Sequence, residues 1–473
     1  MKICIIAEGS YPYVTGGVSS WIQTILTNMP QHQFIIYAIG AKKSEKGQFK
    51  YQLPSNVYHV EEVFLDDFIE EGKKWGHRYP LSEVEKHALI SLLMNRQPDW
   101  DTLLSLLSGE QIDSAIHFLK SKDFFDIVQE VCTEKYDQVP FTDMFWSIRS
   151  MVLPLFICLK HPLPEADLYH SVSTGYAGII GSLGRHIHQK PFVLTEHGIY
   201  TREREEEIIK AQWVKGYFKD LWIQYFYSLS DCAYRKADCV ISLFQKNKEI
   251  QIELGCPADL VTIIPNGVNV EEYAGLPPRQ KQQEINIGAI VRVVPIKDIK
   301  TMLQSFALVK QEFPAARFYI MGPTAEDEDY YQECLQLVEN LQINGVIFTG
   351  EVNTKEYIYQ MDVLVLSSIS EGQPLVLLEG MACSKPFVTT DVGNCKGLLY
   401  GEQDDYGEAG IVVPVMQYVE MAKAIIKLCQ NPSLREEMGE IGRRRVVSHY
   451  TKKAFINQYQ QLYENMVNSK WQA

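Results

Sequence analysis

Two carboxylates stand eight positions apart in Glu371-Gly372-Gln373-Pro374-Leu375-Val376-Leu377-Leu378-Glu379, across a turn and into an apolar run. Before them, residues 361–368 are apolar and β-branched between polar ends, which predicts a buried strand. Pro374 suits the first turn of a helix, where its missing N–H costs nothing. The amides of Leu375 and Val376 would then point outward at a helix N-terminus, where an anion is favoured. Glu371 falls at the strand exit and Glu379 two turns into the helix. Carboxylates beside a phosphate repel it unless they hold neutral hydroxyls instead. A sugar nucleotide meets both demands, with amides for the pyrophosphate and carboxylates for the sugar and ribose hydroxyls. The plainer reading is a strand–turn–helix with two solvated glutamates.

Arg292 and Lys297 follow another predicted strand, residues 285–291, in a loop that opens a helix. Arg offers a fork and Lys a point charge, a reasonable pyrophosphate clamp that would neutralise charge building on a leaving diphosphate. Taken alone they read as surface charges. In the first half, Thr195-Glu196-His197-Gly198 ends a strand. A histidine there can hydrogen-bond a sugar hydroxyl or a phosphate oxygen and titrates near neutrality, although a structural turn histidine is the simpler alternative. Gly16-Gly17 lets backbone approach a ligand closely, without forming the G-x-G-x-x-G fingerprint. Glu326-Asp327-Glu328-Asp329 contains a D-x-D, but acids before a helical stretch are better read as a helix start favoured by the macrodipole. No essential metal and no cofactor are expected.

These residues need a scaffold of strands. Residues 2–7 predict a first strand, then a glycine turn, a helix from 19 to about 29 and a strand at 34–39, which is a βαβ opening. From about 65 to 160 the pattern becomes helical (81–94, 100–107, 112–119, 124–131, 145–159), an insertion into the first α/β domain. The α/β rhythm resumes with strands at 166–170, 191–195, 237–242 and 261–265. Residues 275–284 are polar and proline-bearing and read as a linker. A second cycle follows, with a strand at 285–291, a helix at 299–311 and a strand at 317–321. The segment 432–468 is helical and amphipathic. The fold class expected is α/β with two Rossmann-like doubly wound domains facing a cleft. They are residues 1–275, with the helical insertion, and 285–450, with a terminal helix in 451–473 that crosses back to the first domain or packs on its own.

The 473 residues suit two domains, and 46% hydrophobic with 22% charged residues is a globular balance. A net charge of −14 argues against nucleic acid as a partner and against direct adhesion to an anionic membrane. Ten scattered cysteines without C-x-x-C favour reduced, buried thiols and a cytoplasmic setting. The apolar run at the start is too short for a signal peptide, and no stretch of about 18 apolar residues suggests a membrane span.

The residues from 371 to 379 resemble the E-x7-E signature of the family-four retaining glycosyltransferases of GT-B fold. The resemblance extends in order through Gly16-Gly17, His197, residues 261–268, Arg292, Lys297 and Gly410-Ile411-Val412-Val413-Pro414. Residues 7–21, the helical insertion and residues 197–203 are similar to the branch that makes the Pel exopolysaccharide. The resemblance implies transfer from a UDP-sugar to a polysaccharide acceptor with retention. It makes His197, Glu371, Arg292 and Lys297 catalytic, His197 on the donor sugar. Substrate would be bound by Gly16, Gly17, Arg292, Lys297, Gly350, Val352, Glu371, Gln373, Pro374, Leu375, Val376 and Glu379, with uracil near Gly350 to Val352. It also implies recruitment to the cytoplasmic face of the inner membrane by subunits such as PelD, PelE or PelG. The competing readings are a non-catalytic UDP-sugar-binding scaffold and a GT-B sugar-nucleotide epimerase.

Overall fold

The computed structural model describes residues 1–67, 76–273 and 284–468. The linker at 275–283, residues 68–75 of the insertion and the terminal residues 469–473 lie outside the described residues. The chain divides into two units, Met1–Ile263 with the segment from Gln460, and Ile264–Tyr459. Each has its own apolar core.

In unit 1, β1 (Lys2–Glu8), β2 (Gln33–Gly40), β3 (Val57–Phe64), β4 (Leu168–Ser171), β5 (Phe192–Glu196), β6 (Cys239–Ser242) and β7 (Val261–Ile263) make one parallel sheet, ordered β3-β2-β1-β4-β5-β6-β7. The inner strands are buried along almost their whole length, as parallel strands covered on both faces must be. The helices are α1 (Gly17–Asn28), α2 (Glu83–Met94), α3 (Trp100–Ser108), α4 (Ala115–Leu119), α5 (Lys122–Lys135), α6 (Phe141–Lys160), α7 (Tyr176–His188), α8 (Tyr200–Lys210), α9 (Lys219–Lys236) and α10 (Gln245–Glu253). Strand β3 escapes the sequence pattern because it lies at the sheet edge, exposed or half-buried over its first six residues and buried only at Val63 and Phe64.

Helices α2 to α6 are the insertion, and they share the unit 1 core through α3 and α6 packing on α7. Local signals start them. Ser82 and Glu85 form a reciprocal capping box, and Asp99 and Ser121 accept from the N3 amides of α3 and α5. Among the described residues, α6 is long and apolar enough to cross a membrane by length and composition, contrary to the sequence expectation. Its apolar window is 61% buried inside the fold, as a core helix is.

In unit 2, β8 (Asn286–Ile290), β9 (Arg317–Met321), β10 (Val346–Gly350), β11 (Val363–Leu366), β12 (Phe387–Thr390) and β13 (Gly410–Val413) make a second parallel sheet, ordered β10-β9-β8-β11-β12-β13. Its helices are α11 (Ile299–Glu312), α12 (Glu328–Asn340), α13 (Thr354–Ile358), α14 (Leu375–Ala382), α15 (Cys395–Tyr400), α16 (Tyr418–Gln430), α17 (Pro432–His449) and α18 (Lys452–Asn468). The closing segment is therefore two helices. The chain breaks at Thr451, which bridges Val268 and whose hydroxyl accepts from the Ala454 amide at the start of α18. Helix α18 belongs to unit 2 up to Tyr459 and to unit 1 from Gln460.

In each sheet the winding direction reverses once, between β1 and β4 and between β8 and β11. The crevice outside the carboxyl ends of the strands at such a reversal is where doubly wound sheets hold ligands. All ten cysteines are free thiols, and nine are buried.

Candidate functional site

In unit 2, the loop after β8 and the loop after β11 meet at the reversal. Lys297 Nζ donates to Glu371 Oε1 at 2.5 Å, and Ser368 Oγ donates to the same oxygen at 2.5 Å. Both partners of the ion pair are mostly buried, with side chains 17% and 11% exposed. Glu371 Oε2 has no protein partner among the described residues. Ser367 Oγ donates to Lys297 O and Asp298 O, both at 2.8 Å, so the end of β11 grips the Lys297 turn. Asp298, in left-handed backbone, caps α11 by accepting from the Thr301 amide.

The E-x7-E loop is pressed from the other side by the loop after β12. Asn394 N–H donates to Gly372 O at 2.9 Å. Gly393 has φ +52° and sits so close that a Cβ would lie 2.2 Å from Glu371 O. Only glycine suits that left-handed, crowded position. Pro374 is the residue before α14 rather than within its first turn, so Leu375 and Val376 are its first two helical residues. Their amides are among those a helix leaves without an internal partner. Glu379 is consequently one turn into α14, not two.

Glu379 is partly buried, its carboxylate has no hydrogen-bond partner among the described residues, and its pKa is pushed up to about 7. Burial is the main cause, Lys355 opposes it and Glu272 adds to it. Lys355 is ion-paired with Glu272. Arg292 is also engaged, pairing with Glu326 in the acidic run. Asp327 of that run caps α12 by accepting from the Tyr330 amide at 3.0 Å, which is the helix-start reading of the D-x-D. Gly350 O accepts from Gly322 N–H at 2.9 Å, and Gly322 lies against Val291 O. The ends of β10, β9 and β8, with Gly350 and Arg292, are thereby joined. Val352 packs against the unit 2 core.

In unit 1, Gly16 and Gly17 stand at the N-terminus of α1, exposed and with open space where a Cβ would be. Gly16 is extended, so no left-handed turn calls for glycine there. One turn on, the Trp21 ring lies edge-on to His197, with centroids 4.9 Å apart. Helix α1, which Gly16 and Gly17 open, thus packs against His197 through Trp21. His197 Nε2 is buried with no hydrogen-bond partner, and burial lowers its pKa to about 4. The ring is neutral at pH 7. Trp21 also meets His170 edge-on. His170 is fully buried and bonded to Thr195 Oγ1 at 2.8 Å and Tyr463 Oη at 2.7 Å; burial, with His197 second, holds its pKa near 3. Glu8, at the end of β1, accepts from Tyr200 Oη at 3.0 Å and the Ala177 amide at 3.2 Å, with Arg204 3.6 Å away.

Ser368, Trp21, His170 and Glu8 were not singled out from sequence. Ser and Trp carry no spacing signal. Glu8 sits at a strand end that a stricter use of the switch-point rule would have picked.

Residues 1–259 match the family described as a domain of unknown function (DUF3492). The chain belongs to that family. Residues 284–431 match the glycosyl transferases group 1. The N-acetyl-alpha-D-glucosaminyl L-malate synthase of Bacillus anthracis is 29% identical over 174 residues, 36% of this chain, which spans only 43% of that relative. The capsular polysaccharide biosynthesis glycosyltransferase CapM of Staphylococcus aureus is 24% identical over 339 residues, covering 67% of this chain and 83% of CapM. Among solved structures, the sucrose-phosphate synthase of Thermosynechococcus elongatus aligns over 99% of this chain and 100% of its own, with TM-score 0.61 and 16% identity. Anabaena Alr3699/HepE in complex with UDP aligns over 98% and 100%, with TM-score 0.62 and 15% identity. The fold of the DUF3492 chain is GT-B, with two parallel-sheet Rossmann-like domains.

Proposed function

We propose that the protein is a retaining glycosyltransferase that moves a hexose or hexosamine from a UDP-sugar to a growing exopolysaccharide. The Lys297–Glu371 pair at the unit 2 strand reversal, beside the first amides of α14, carries this reading. An ammonium has three donors, and Glu371 takes one. The others, with the α14 amides and Arg292, suit the oxygens of a diphosphate leaving group. Glu371 Oε2 suits a sugar hydroxyl, and Glu379, one turn along, suits the ribose hydroxyls. Neutral His197, with an unpartnered Nε2, is assigned to the donor sugar. Gly350 and Val352 are assigned to the base, and Gly16 and Gly17 to close backbone approach.

No residue is cast as a covalent nucleophile. The protein positions the reactants and stabilises the departing diphosphate without an essential metal or cofactor. A relative named for capsular polysaccharide biosynthesis and a structural neighbour in complex with UDP support the substrate class. The residues at 7–21 and 197–203, with the helical insertion, support PelF of Pel synthesis. We accordingly propose a cytoplasmic enzyme recruited to the membrane by partners such as PelD, PelE or PelG through the insertion. Incubation with a panel of UDP-sugars and acceptor tests the reading. Release of UDP with a product of unchanged anomeric configuration is expected. A donor that returns epimerised, or that binds without turnover, would refute it.

A further inference from the structure

The chain enters unit 2 at Ile264. Asn266 lies three residues past β7, and the next two residues are fixed. Val268 N–H donates to Tyr450 O at 2.9 Å, and Val268 O accepts from Lys452 N–H at 2.8 Å. A Cβ on Gly267 would stand 2.5 Å from Thr451 O, so only glycine lets the two backbones come this close. From this anchored segment, the Asn266 backbone N–H donates to Gln373 Oε1 at 2.6 Å, and Asn266 Nδ2 reaches Gln373 O at 3.5 Å. Both residues are buried, at 7% and 6% exposure. The N–H can only meet an acceptor, which sets the orientation of the Gln373 amide and commits its oxygen.

The E-x7-E loop is therefore held at three points. Glu371 is held by Lys297 and Ser368, Gly372 O by the Asn394 amide, and Gln373 by Asn266. The first two ties come from loops and strand ends of the same sheet. The third comes from the entering segment, and it grips the residue directly before Pro374 and α14.

We propose that Gln373 is a positioning residue of the donor site, clamped by the Asn266 backbone so that Glu371 and the first amides of α14 stand in register for a sugar nucleotide. With Oε1 taken by the Asn266 N–H, and Nε2 buried without a hydrogen-bond partner, it acts on the ligand through the loop it fixes. The inference rests on the donor-site reading above. The clamp has a stated consequence: the entering segment and the donor loop cannot shift independently while this bond is made.

Gln373→Met keeps the shape and removes the acceptor, and Asn266→Pro removes the donor. UDP is titrated by calorimetry into the wild type, both single variants and the double variant, alongside UDP-glucose turnover and the melting temperature. Each single variant should bind UDP roughly five- to tenfold more weakly and turn over more slowly at saturating donor. The double should be no worse than the worse single, since both remove one bond. Gln373→Met alone decides the matter if Asn266→Pro does not fold. A variant that melts lower but binds UDP like the wild type would make the clamp merely structural and overturn the proposal. So would additive effects in the double. If the wild type itself binds no UDP, the donor-site reading fails first and the clamp's role with it.

Discussion

Lys297 Nζ and Glu371 Oε1 are 2.5 Å apart, although the two residues are 74 positions apart in the chain. A cation after β8 is thus held by a carboxylate after β11, and Ser368 shares the same carboxylate oxygen. With one donor on Glu371, the ammonium has two donors left for other acceptors. Removing either partner leaves a mostly buried charge uncompensated, which costs more than the bond itself contributes.

Lys297→Ala should weaken UDP binding by roughly 1.5–3 kcal/mol, the range for a charge-assisted contact. Calorimetric titration of UDP measures it. Affinity equal to the wild type would remove Lys297 from the diphosphate.

Glu371→Ala and Glu379→Ala should separate. Loss of Glu379 weakens UDP itself, since the ribose is part of it. Loss of Glu371 weakens or misplaces the sugar-bearing donor and leaves UDP nearly as tight. Parallel titrations with UDP and UDP-sugar decide this, and equal losses for both ligands in both variants would refute the assignment.

Glu379 should also mark the pH dependence of unit 2. Its folded pKa, about 7, lies above the ordinary carboxylate value, so the native state holds its proton longer than the unfolded chain. Its contribution is least costly below about pH 4.5, and stability declines as pH rises from there to about 7. Glu379→Gln should remove that slope and leave the variant roughly 1–3 kcal/mol more stable than wild type at pH 8. Urea unfolding at pH 5 and pH 8 measures the difference.

The two histidines around Trp21 predict the opposite slope. Burial lowers His197 to about 4 and His170 to about 3, so each is neutral in the fold and its stabilising effect is complete above about pH 6.5. That stability is lost as pH falls from 6.5 toward those values, because the unfolded chain binds the protons first. Thermal scans between pH 7 and pH 4.5 should show the melting temperature dropping, and His170→Gln should flatten the drop. A variant with the wild-type slope would exclude His170 as its source.

Several elements were legible without the fold. The apolar, β-branched runs within Lys2–Glu8 and Val363–Leu366 are strands because continuous burial in a parallel sheet demands such runs. The helices of the insertion follow from apolar periodicity and from caps at Ser82, Asp99 and Ser121. Glu371, Gln373 and the α14 amides could be placed on one strand–turn–helix because all three lie within a few residues of each other. Edge strand β3 is not legible because only its last two residues are buried, and the break at Thr451 because it depends on a partner 183 residues earlier, Val268.

The sequence by itself determined the local chemistry: which residues end strands, which amides open a helix, and which carboxylates stand near them. Those depend on short-range sterics and periodicity. Only the tertiary structure decided how each group is used. Lys297 meets Glu371, Arg292 meets Glu326, Glu379 retains its proton near neutrality, and Gln373 is taken by Asn266. Pairing, burial and desolvation are properties of groups brought together from distant parts of the chain, and neither residue type nor spacing encodes them.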